Sequence, residues 1–273
     1  MLYKYLNQKR LDVIENLKIR FTQPKALNDP FEAMPLVDIS NEMSPLINTI
    51  KQEAEQLWNQ TDPTEQTSDN YQLLQKSVDN LVANANRMAS GENSRIGSAV
   101  MEGLNQKIGI LSLSKTIHNL LLWSHYADSH RGYAIGFDPD HPYFHALSEL
   151  GTITHPNPVT YTTQRSFIRK NDHDLYTKMF CEKPIDWAYE EEFRIFRQFS
   201  DLTTNAGLDK ADYLIYLADI PPDVIRSIYI GAQAGQPFKD RLVNTVSGHK
   251  IKASIFEMKF SGSEYRVEPY RIA

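Results

Sequence analysis

The sequence has little cysteine and no long apolar run. Its one cysteine, Cys181, excludes an intrachain disulfide and a cysteine-rich zinc site, so a reducing cytoplasm is the simplest compartment. No window approaches the roughly 18 apolar residues of a membrane-spanning helix, and the amino terminus lacks a basic stretch followed by an apolar one. We therefore expect a cytoplasmic protein that neither enters a membrane nor is secreted.

Positive charge is also scarce. The 29 lysines and arginines are outnumbered by 34 aspartates and glutamates, which gives a formal charge of −5 and a pI near 5.9. Binding of bulk nucleic acid needs a net basic face, so this balance argues against that function. The 41% of hydrophobic residues predicts a globular protein with a sizeable core.

Motifs of several common enzymes are missing. The sequence has no phosphate-binding GxxxxGK[ST], no GxGxxG after a predicted strand, no HExxH and no GxSxG. Ser112 and Lys115 fit the S-x-x-K pattern of penicillin-recognising enzymes, but the companion motifs of those enzymes are absent. Candidate site residues therefore have to be sought in less common clusters.

The chain is predicted to be a single α+β domain over residues 1–273, with a mixed, mainly antiparallel sheet and a helical insertion or lid over residues 41–106. Apolar residues recur at helical spacing in the insertion, on either side of a break at 61–70, and a third helix is expected at 94–105. Elsewhere the strands do not alternate regularly with helices, which favours the α+β class. Further helices are predicted at 11–16, 117–128, 167–181 and 238–246, and strands at 2–5, 17–22, 108–114, 132–137, 158–162, from 190 onwards, 213–218, 225–231, 251–260 and 265–272.

The most unusual stretch runs from Trp187 to Arg197 and combines aromatic, acidic and basic residues. In a strand that starts near Glu190, alternation places Glu190, Glu192 and Arg194 on one face. Two carboxylates and an arginine on one face can stabilise a developing cation and orient an acceptor. The alternative is a solvated strand face with an ion pair along it, because charged faces are common on half-buried strands.

A second cluster lies in and just after a predicted helix and holds Trp123, His125, Tyr126 and His130. The two histidines are five residues apart, which differs from the i, i+4 spacing of a helical zinc site, so no metal is expected. In one interpretation His125 and Tyr126 shape a pocket. In the alternative, Trp123 anchors the core. Gly132 is expected to end the helix.

A third cluster combines the amino-terminal strand with a turn. Asn28 and Asp29 precede a proline, and such residues hydrogen-bond to their own backbone and fix a tight turn. The turn either packs the chain or places Asn28, Asp29 or Glu32 at a cleft. Lys4 and Tyr5 offer a cationic and aromatic surface to a nucleotide, although tyrosines in a strand are also simply β-prone.

These clusters, together with several strand motifs, resemble a widespread bacterial family catalogued as domain of unknown function 2971. The resemblance runs over most of the chain apart from residues 41–106. It implies no activity, because none was established for the family. The motifs that carry it lie at residues 2–5, 19–22, 27–32, 111–114, 122–133, 159–161, 187–194 and 228–231.

The order of the elements is also similar to the plan of ADP-ribosyltransferases. A middle strand with Ser112 is followed by a late strand that carries Glu190 and Glu192. The resemblance implies that Glu192 holds a ribose hydroxyl and stabilises an oxocarbenium ion as nicotinamide leaves, while Glu190 prepares the acceptor nucleophile. The sequence departs from that plan in the helix between the two strands and in the lack of a clear arginine or histidine on the first strand.

NAD is the cofactor that this second resemblance implies. Arg20 or Lys4 would meet its phosphates, and Tyr126 or Tyr133 would stack on the nicotinamide ring. The corresponding hypothesis is an NAD-using enzyme that modifies a macromolecule or a nucleotide, in phage defence or as a toxin.

The alternative hypothesis is a regulatory module. It would bind a nucleotide, another small molecule or a peptide in the same cleft without turnover. Its contacts would be Trp123, Tyr126 and Arg194, and a protein partner is not specified by the sequence.

Overall fold

Two compact units are present in the computed structural model, which describes residues 1–38, 40–145, 155–169, 172, 175–202, 206–249 and 251–273. A sheet unit comprises Met1–Ala33, Gly103–Gln164 and Phe180–Ala273. A helical unit comprises Met34–Glu102 and Arg165–Met179. The division into one domain over 1–273 with an insertion at 41–106 stays a prediction.

The helices and strands follow one another in an irregular order. The helices are α1 (Asp12–Asn16), α2 (Ser40–Gln60), α3 (Ser68–Asn105), α4 (Leu120–Tyr126), α5 (Leu175–Phe180) and α6 (Gln236–Gly248). The strands are β1 (Leu2–Leu6), β2 (Lys18–Phe21), β3 (Leu36–Val37), β4 (Ile108–Ser114), β5 (Tyr133–Phe137), β6 (Asn157–Pro158), β7 (Thr160–Thr162), β8 (Phe167–Ile168), β9 (Glu182–Pro184), β10 (Glu192–Gln198), β11 (Tyr216–Asp219), β12 (Ile225–Ile230), β13 (Ser254–Phe260) and β14 (Val267–Arg271).

The main sheet of the sheet unit is mixed and mainly antiparallel. Within the described residues it has eight strands in the order β14-β13-β12-β5-β1-β4-β10-β6, and the pair β12 and β13 is parallel. Smaller sheets pair β2 with β11 and β7 with β9. The predicted α+β class, with a mixed and mainly antiparallel sheet, is confirmed.

Alternation along the strands gives the sheet two different faces. On one face, residues such as Leu111, Ile135 and Ile195 join a large apolar core with residues of α1 and α6. On the other face, a smaller core forms around Trp123 of α4, and the neighbouring part of β4 presents Ser112. The polar candidates of β4 and β10 therefore share a face of the sheet with α4.

The helical unit contains the long helices α2 and α3. Trp58 of α2 lies with its ring 5.0 Å from that of Tyr71 in α3. β3 and β8 pair in parallel in the same unit. The predicted break between the helices is confirmed but is shorter than 61–70, because α3 begins at Ser68. The separate third helix at 94–105 is wrong, because α3 runs without interruption to Asn105. A glycine within a helix, such as Gly97, costs roughly 1 kcal/mol relative to alanine without ending it.

Two other predicted helices differ from the structure. The helix at 167–181 is wrong, since Phe167 and Ile168 pair with β3 and a short helix starts at Leu175. Residues 170–171 and 173–174 of that predicted helix lie outside the described residues. The helix at 117–128 is shorter than predicted and begins after Asn119, whose side chain accepts hydrogen bonds from the next turn.

The turn after α4 explains a glycine that was expected to be a helix stop. Asp128, Ser129 and His130 adopt left-handed backbone conformations, with φ of 50°, 52° and 65°. Gly132 then lies so close to β1 that a Cβ atom would be 2.1 Å from the Leu6 carbonyl oxygen. Glycine is required there because the backbone approaches closely, several residues after the helix has ended.

Among the described helices, none is both long and apolar enough to cross a lipid bilayer.

Candidate functional site

A cavity of about 250 Å³ opens in the sheet unit where β1 and β4 separate. In the described chain, β1 pairs with β5 at every residue but with β4 only at Tyr3 and Ser114. On its other side β4 remains paired with β10 along its whole length. The walls of the cavity come from β1, β4, β10, α4 and the segment that leads into the 3-10 helix Pro30–Ala33. The splayed strands therefore create the space.

Five charged side chains form one wall, and we call them the charge cluster: Glu32, Lys183, Glu190, Glu192 and Arg194. Each is at most 5% exposed. The Lys183 Nζ atom lies 2.6 Å from Glu190, 3.0 Å from Glu192 and 3.1 Å from Glu32. Arg194 donates to both Glu192 oxygens, at 2.8 and 3.0 Å, and to Glu32 at 2.7 Å. Burial with several short contacts makes this a connected ionic network.

The cluster is assembled from separate parts of the chain. Glu192 and Arg194 share a face of β10, as alternation predicts. The prediction that Glu190 lies on the same strand is wrong, because Glu190 ends a 3-10 helix. Glu191 follows with a left-handed φ of 43°, and this turn brings the chain into β10. Glu190 reaches the network from the turn, through Lys183.

The network is strongly ionised. Burial alone raises the pKa of Glu192, but attraction to Arg194 and Lys183, with hydrogen bonds from Arg194 and Ser112, lowers that pKa to about 2. Burial alone lowers the pKa of Lys183 and of Arg194, yet the neighbouring carboxylates hold both above their ordinary values. By formal charge, three carboxylates face two cations, which gives the cluster a formal charge of −1.

This burial decides between two interpretations of the late strand. A solvated face with an ion pair along it is wrong, because Glu192 and Arg194 are 5% and 1% exposed. Removing charges from water is costly unless they are paired and hydrogen-bonded. The Nη1 atom of Arg194 also donates to the Phe180 carbonyl oxygen at 2.7 Å, so the guanidinium is bonded on all sides.

Hydroxyl and amide groups extend the network along the cavity. The Tyr126 hydroxyl donates to Glu190 at 2.7 Å and accepts from the Asn28 side chain at 2.9 Å. Burial and the hydrogen bond with Glu190 raise the pKa of Tyr126 above its usual range. Tyr126, the last residue of α4, is therefore a neutral hydroxyl that is fixed between Glu190 and Asn28 of the turn after β2.

Lys4 lies on β1 and contacts β4 across the gap between these strands. Its Nζ atom donates to the Ser112 carbonyl oxygen at 3.0 Å, in place of a hydrogen bond from the strand ladder. Among the described residues, no carboxylate lies within ion-pair distance of this ammonium group. Lys4 is half-buried and lines the cavity.

The structure brings seven of the eleven predicted site residues to the cavity. They are Lys4, Tyr5, Asn28, Tyr126, Glu190, Glu192 and Arg194. The roles assigned to them stay predictions, because position alone does not establish binding or catalysis.

The other four predicted residues lie away from the cavity lining. Arg20 pairs with Asp209 at 2.6 Å. Asp29 is buried and accepts from the backbone of its own turn. Trp123 is fully buried and donates to the Ile117 carbonyl oxygen at 2.7 Å, which fits the core-anchor alternative. His125 is exposed.

Sequence reasoning missed Lys183, the central cation of the cluster. Its strand β9 has three residues, too few for a periodic signal. The available signal was the excess of carboxylates over cations between Glu190 and Arg194. Trp187 offered a second signal, since its ring lies 4.9 Å from the Lys183 ammonium group.

The described residues contain no group of three or more His, Cys, Asp and Glu side chains arranged to hold a metal ion. The three glutamates of the charge cluster surround the Lys183 ammonium group.

The fold and the cavity define an α+β protein with a buried ionic network at a small polar pocket. A family described as "Protein of unknown function (DUF2971)" matches residues 122–195. This stretch contains all but the first two residues of α4, together with Lys183, Glu190, Glu192 and Arg194, so it covers most of the charge cluster. The wider resemblance outside 122–195 stays a prediction. No curated protein and no solved structure matches the chain.

Proposed function

We propose that the cavity is a binding site for NAD and that the chain is an ADP-ribosyltransferase-like enzyme of the cytoplasm, acting in defence or as a toxin. The observation that carries this proposal is the ionised Glu192 carboxylate, which Ser112, Lys183 and Arg194 fix in the cavity wall. Cleavage of the nicotinamide–ribose bond leaves positive charge on the sugar, and fixed negative charge nearby stabilises that transition state.

The size of the cavity determines which part of NAD would enter it. Its volume of about 250 Å³ is below the roughly 300–1,000 Å³ of typical small-molecule pockets. The nicotinamide and its ribose would occupy the cavity, and the adenosine half would lie outside. Hydroxyl groups of the sugar match the acceptors of the cluster and the fixed Tyr126 hydroxyl.

The net negative charge of the cluster supports the same assignment. Lys183 pairs with all three glutamates and Arg194 pairs with Glu32 and Glu192, so the formal charge of −1 belongs to the cluster as a whole. The second oxygen of Glu32 is buried and lacks a hydrogen-bond donor among the described groups. A developing cation next to this wall is favoured by Coulomb attraction, which is stronger in a site that excludes water.

A second candidate, a binding module without turnover, is favoured by a specific contact. Both Glu192 oxygens already accept hydrogen bonds from Arg194, and one of them also contacts Lys183. A carboxylate held in this way can maintain the shape of a pocket without taking part in a reaction. In this function the same cavity would recognise a nucleotide or another small molecule.

Nicotinamide release and NAD binding separate the two functions. Wild type would be compared with Glu192→Gln, which keeps the shape of the side chain, and with Glu191→Gln, whose side chain is exposed. Release by wild type and Glu191→Gln, with loss in a folded Glu192→Gln, is expected for the enzyme. Binding without release in all three proteins would identify the module. Absence of binding at millimolar NAD would refute both forms of the proposal for this ligand.

A further inference from the structure

Lys4 is the charged group of the cavity that the network does not neutralise. The carboxylates of the charge cluster are bound by Lys183 and Arg194. The Lys4 ammonium group instead donates to the Ser112 carbonyl oxygen, and no described carboxylate lies within ion-pair distance of it. An ammonium group carries three hydrogens and donation to Ser112 uses one of them, so Nζ keeps capacity to interact with a molecule in the cavity.

The surroundings of Lys4 increase the fraction of its side chain that is neutral near pH 7. Burial lowers the pKa of Lys4, Glu192 and Glu190 oppose this effect, and Arg10 and Arg20 add to it, so that the pKa is about 8. At pH 7 about one Lys4 side chain in ten is then a free amine, against about three in ten thousand for a lysine with the ordinary pKa of 10.5. Desolvation of a lysine in a pocket, next to other cations, is a known way to make its amine nucleophilic.

We propose that the Lys4 amine forms an imine with a small hydroxylated aldehyde or ketone held in the cavity. The Nζ lone pair attacks the carbonyl carbon and forms the C–N bond, while the carbonyl π electrons move to oxygen. That oxygen takes up the two protons released from nitrogen and leaves as water, so the step needs no oxidant or reductant. The hydroxyl and carboxylate groups of the lining supply partners for the hydroxyl groups of such a molecule.

Imine formation at Lys4 does not depend on NAD binding. It needs the neutral amine of Lys4, whereas contact with an NAD phosphate would need the charged ammonium group. The proposed class of ligand follows from the amine, the small volume of the cavity and its polar wall. Carbonyl compounds without hydroxyl groups would react with the same amine but would leave the polar wall without partners.

Reductive trapping tests the proposal on the wild-type protein. Glycolaldehyde, a two-carbon hydroxyaldehyde, would be added with cyanoborohydride, which reduces an imine to a stable secondary amine. Peptide mass spectrometry would compare Lys4 with Lys107, an exposed lysine outside the cavity. Fragment ions would assign the modification to the Lys4 side chain, because any α-amine on the same peptide would also react.

We expect at least about tenfold faster modification of Lys4 than of Lys107 at pH 7, allowing for the lower nucleophilicity of a less basic amine. The Lys4 rate should rise with pH and level off above about pH 8. Equal rates and the same pH profile for both lysines would overturn the proposal.

Two variants provide matched controls. Lys4→Arg keeps a positive charge without an imine-forming amine, and Lys107→Arg makes the same change at the exposed position. The trapped product should disappear at position 4 in the first variant and remain in the second. If Lys4→Arg does not fold, the comparison within wild type still decides. Nicotinamide release would be measured separately, so failure of trapping and failure of the NAD proposal give different results.

Discussion

Replacement of Arg194 by methionine should destabilise the sheet unit strongly. Arg194 is 1% exposed and donates to Glu192, Glu32 and the Phe180 carbonyl oxygen. Methionine fills similar space but offers no donor. The variant would retain three buried carboxylates with Lys183 as their remaining cation in the cluster, so its net charge would change from −1 to −2.

The expected cost is about 3–5 kcal/mol, the range observed when one partner of a buried ion pair is removed. An exposed pair sets the scale for comparison. Arg226 lies 2.8 Å from Asp138 with about half of its side chain exposed, so Arg226→Met should cost less than about 1 kcal/mol. The double variant Arg194→Met/Glu192→Gln removes one carboxylate with the cation, and it should be more stable than Arg194→Met alone.

Urea unfolding followed by tryptophan fluorescence would measure these differences. Trp58 lies in the helical unit, whereas Trp123 and Trp187 lie in the sheet unit. All variants would therefore be made in a Trp58→Phe background, so that the signal reports the sheet unit. A loss below 1 kcal/mol in Arg194→Met, equal to that in Arg226→Met, would refute the view that the network is coupled and buried.

Two further predictions concern acid stability and backbone packing. The pKa of Glu192 is about 2 in the folded protein and near 4.5 in the unfolded chain. Its ionised form therefore stabilises the fold above about pH 5, and this contribution is lost as the pH falls towards 2. The difference in the free energy of unfolding between wild type and Glu192→Gln, measured with urea, should shrink over that interval. Gly132→Ala should lower the free energy of unfolding by at least about 2 kcal/mol in the same assay, because the new methyl group would clash with the Leu6 carbonyl oxygen. Gly103→Ala, where a Cβ atom would meet no neighbour, should be neutral or stabilising by up to about 1 kcal/mol.

The local pattern of apolar residues was sufficient to predict where the main strands lie. The predicted bounds of β4 match the observed ones, and its four isoleucine and leucine residues suit a largely buried strand. The alternation rule also placed Glu192 and Arg194 on one face. It could not tell whether that face meets solvent, because burial depends on β9 and on the turn that contains Glu32.

The errors arose where distant segments meet. The apolar residues between Phe167 and Phe180 fit a helix, but pairing with β3, more than a hundred residues away in sequence, makes Phe167 and Ile168 a strand. Similarly, Lys183 has no unusual neighbour within its own short strand. Its importance comes from the approach of Glu32, which is about 150 residues earlier in the chain.

The protonation states divide the chemical roles of the cavity. With a pKa of about 2, Glu192 is neither an effective proton donor nor a strong base near neutral pH, so it acts as a fixed negative charge. Lys4, with a pKa of about 8, exchanges its proton close to neutral pH and is the better nucleophile. Nicotinamide release therefore tests the fixed charge, and reductive trapping tests the amine. Release of nicotinamide without trapping of an imine at Lys4 would make Lys4 a binding group. Trapping of the imine without release of nicotinamide would support carbonyl chemistry in place of NAD cleavage.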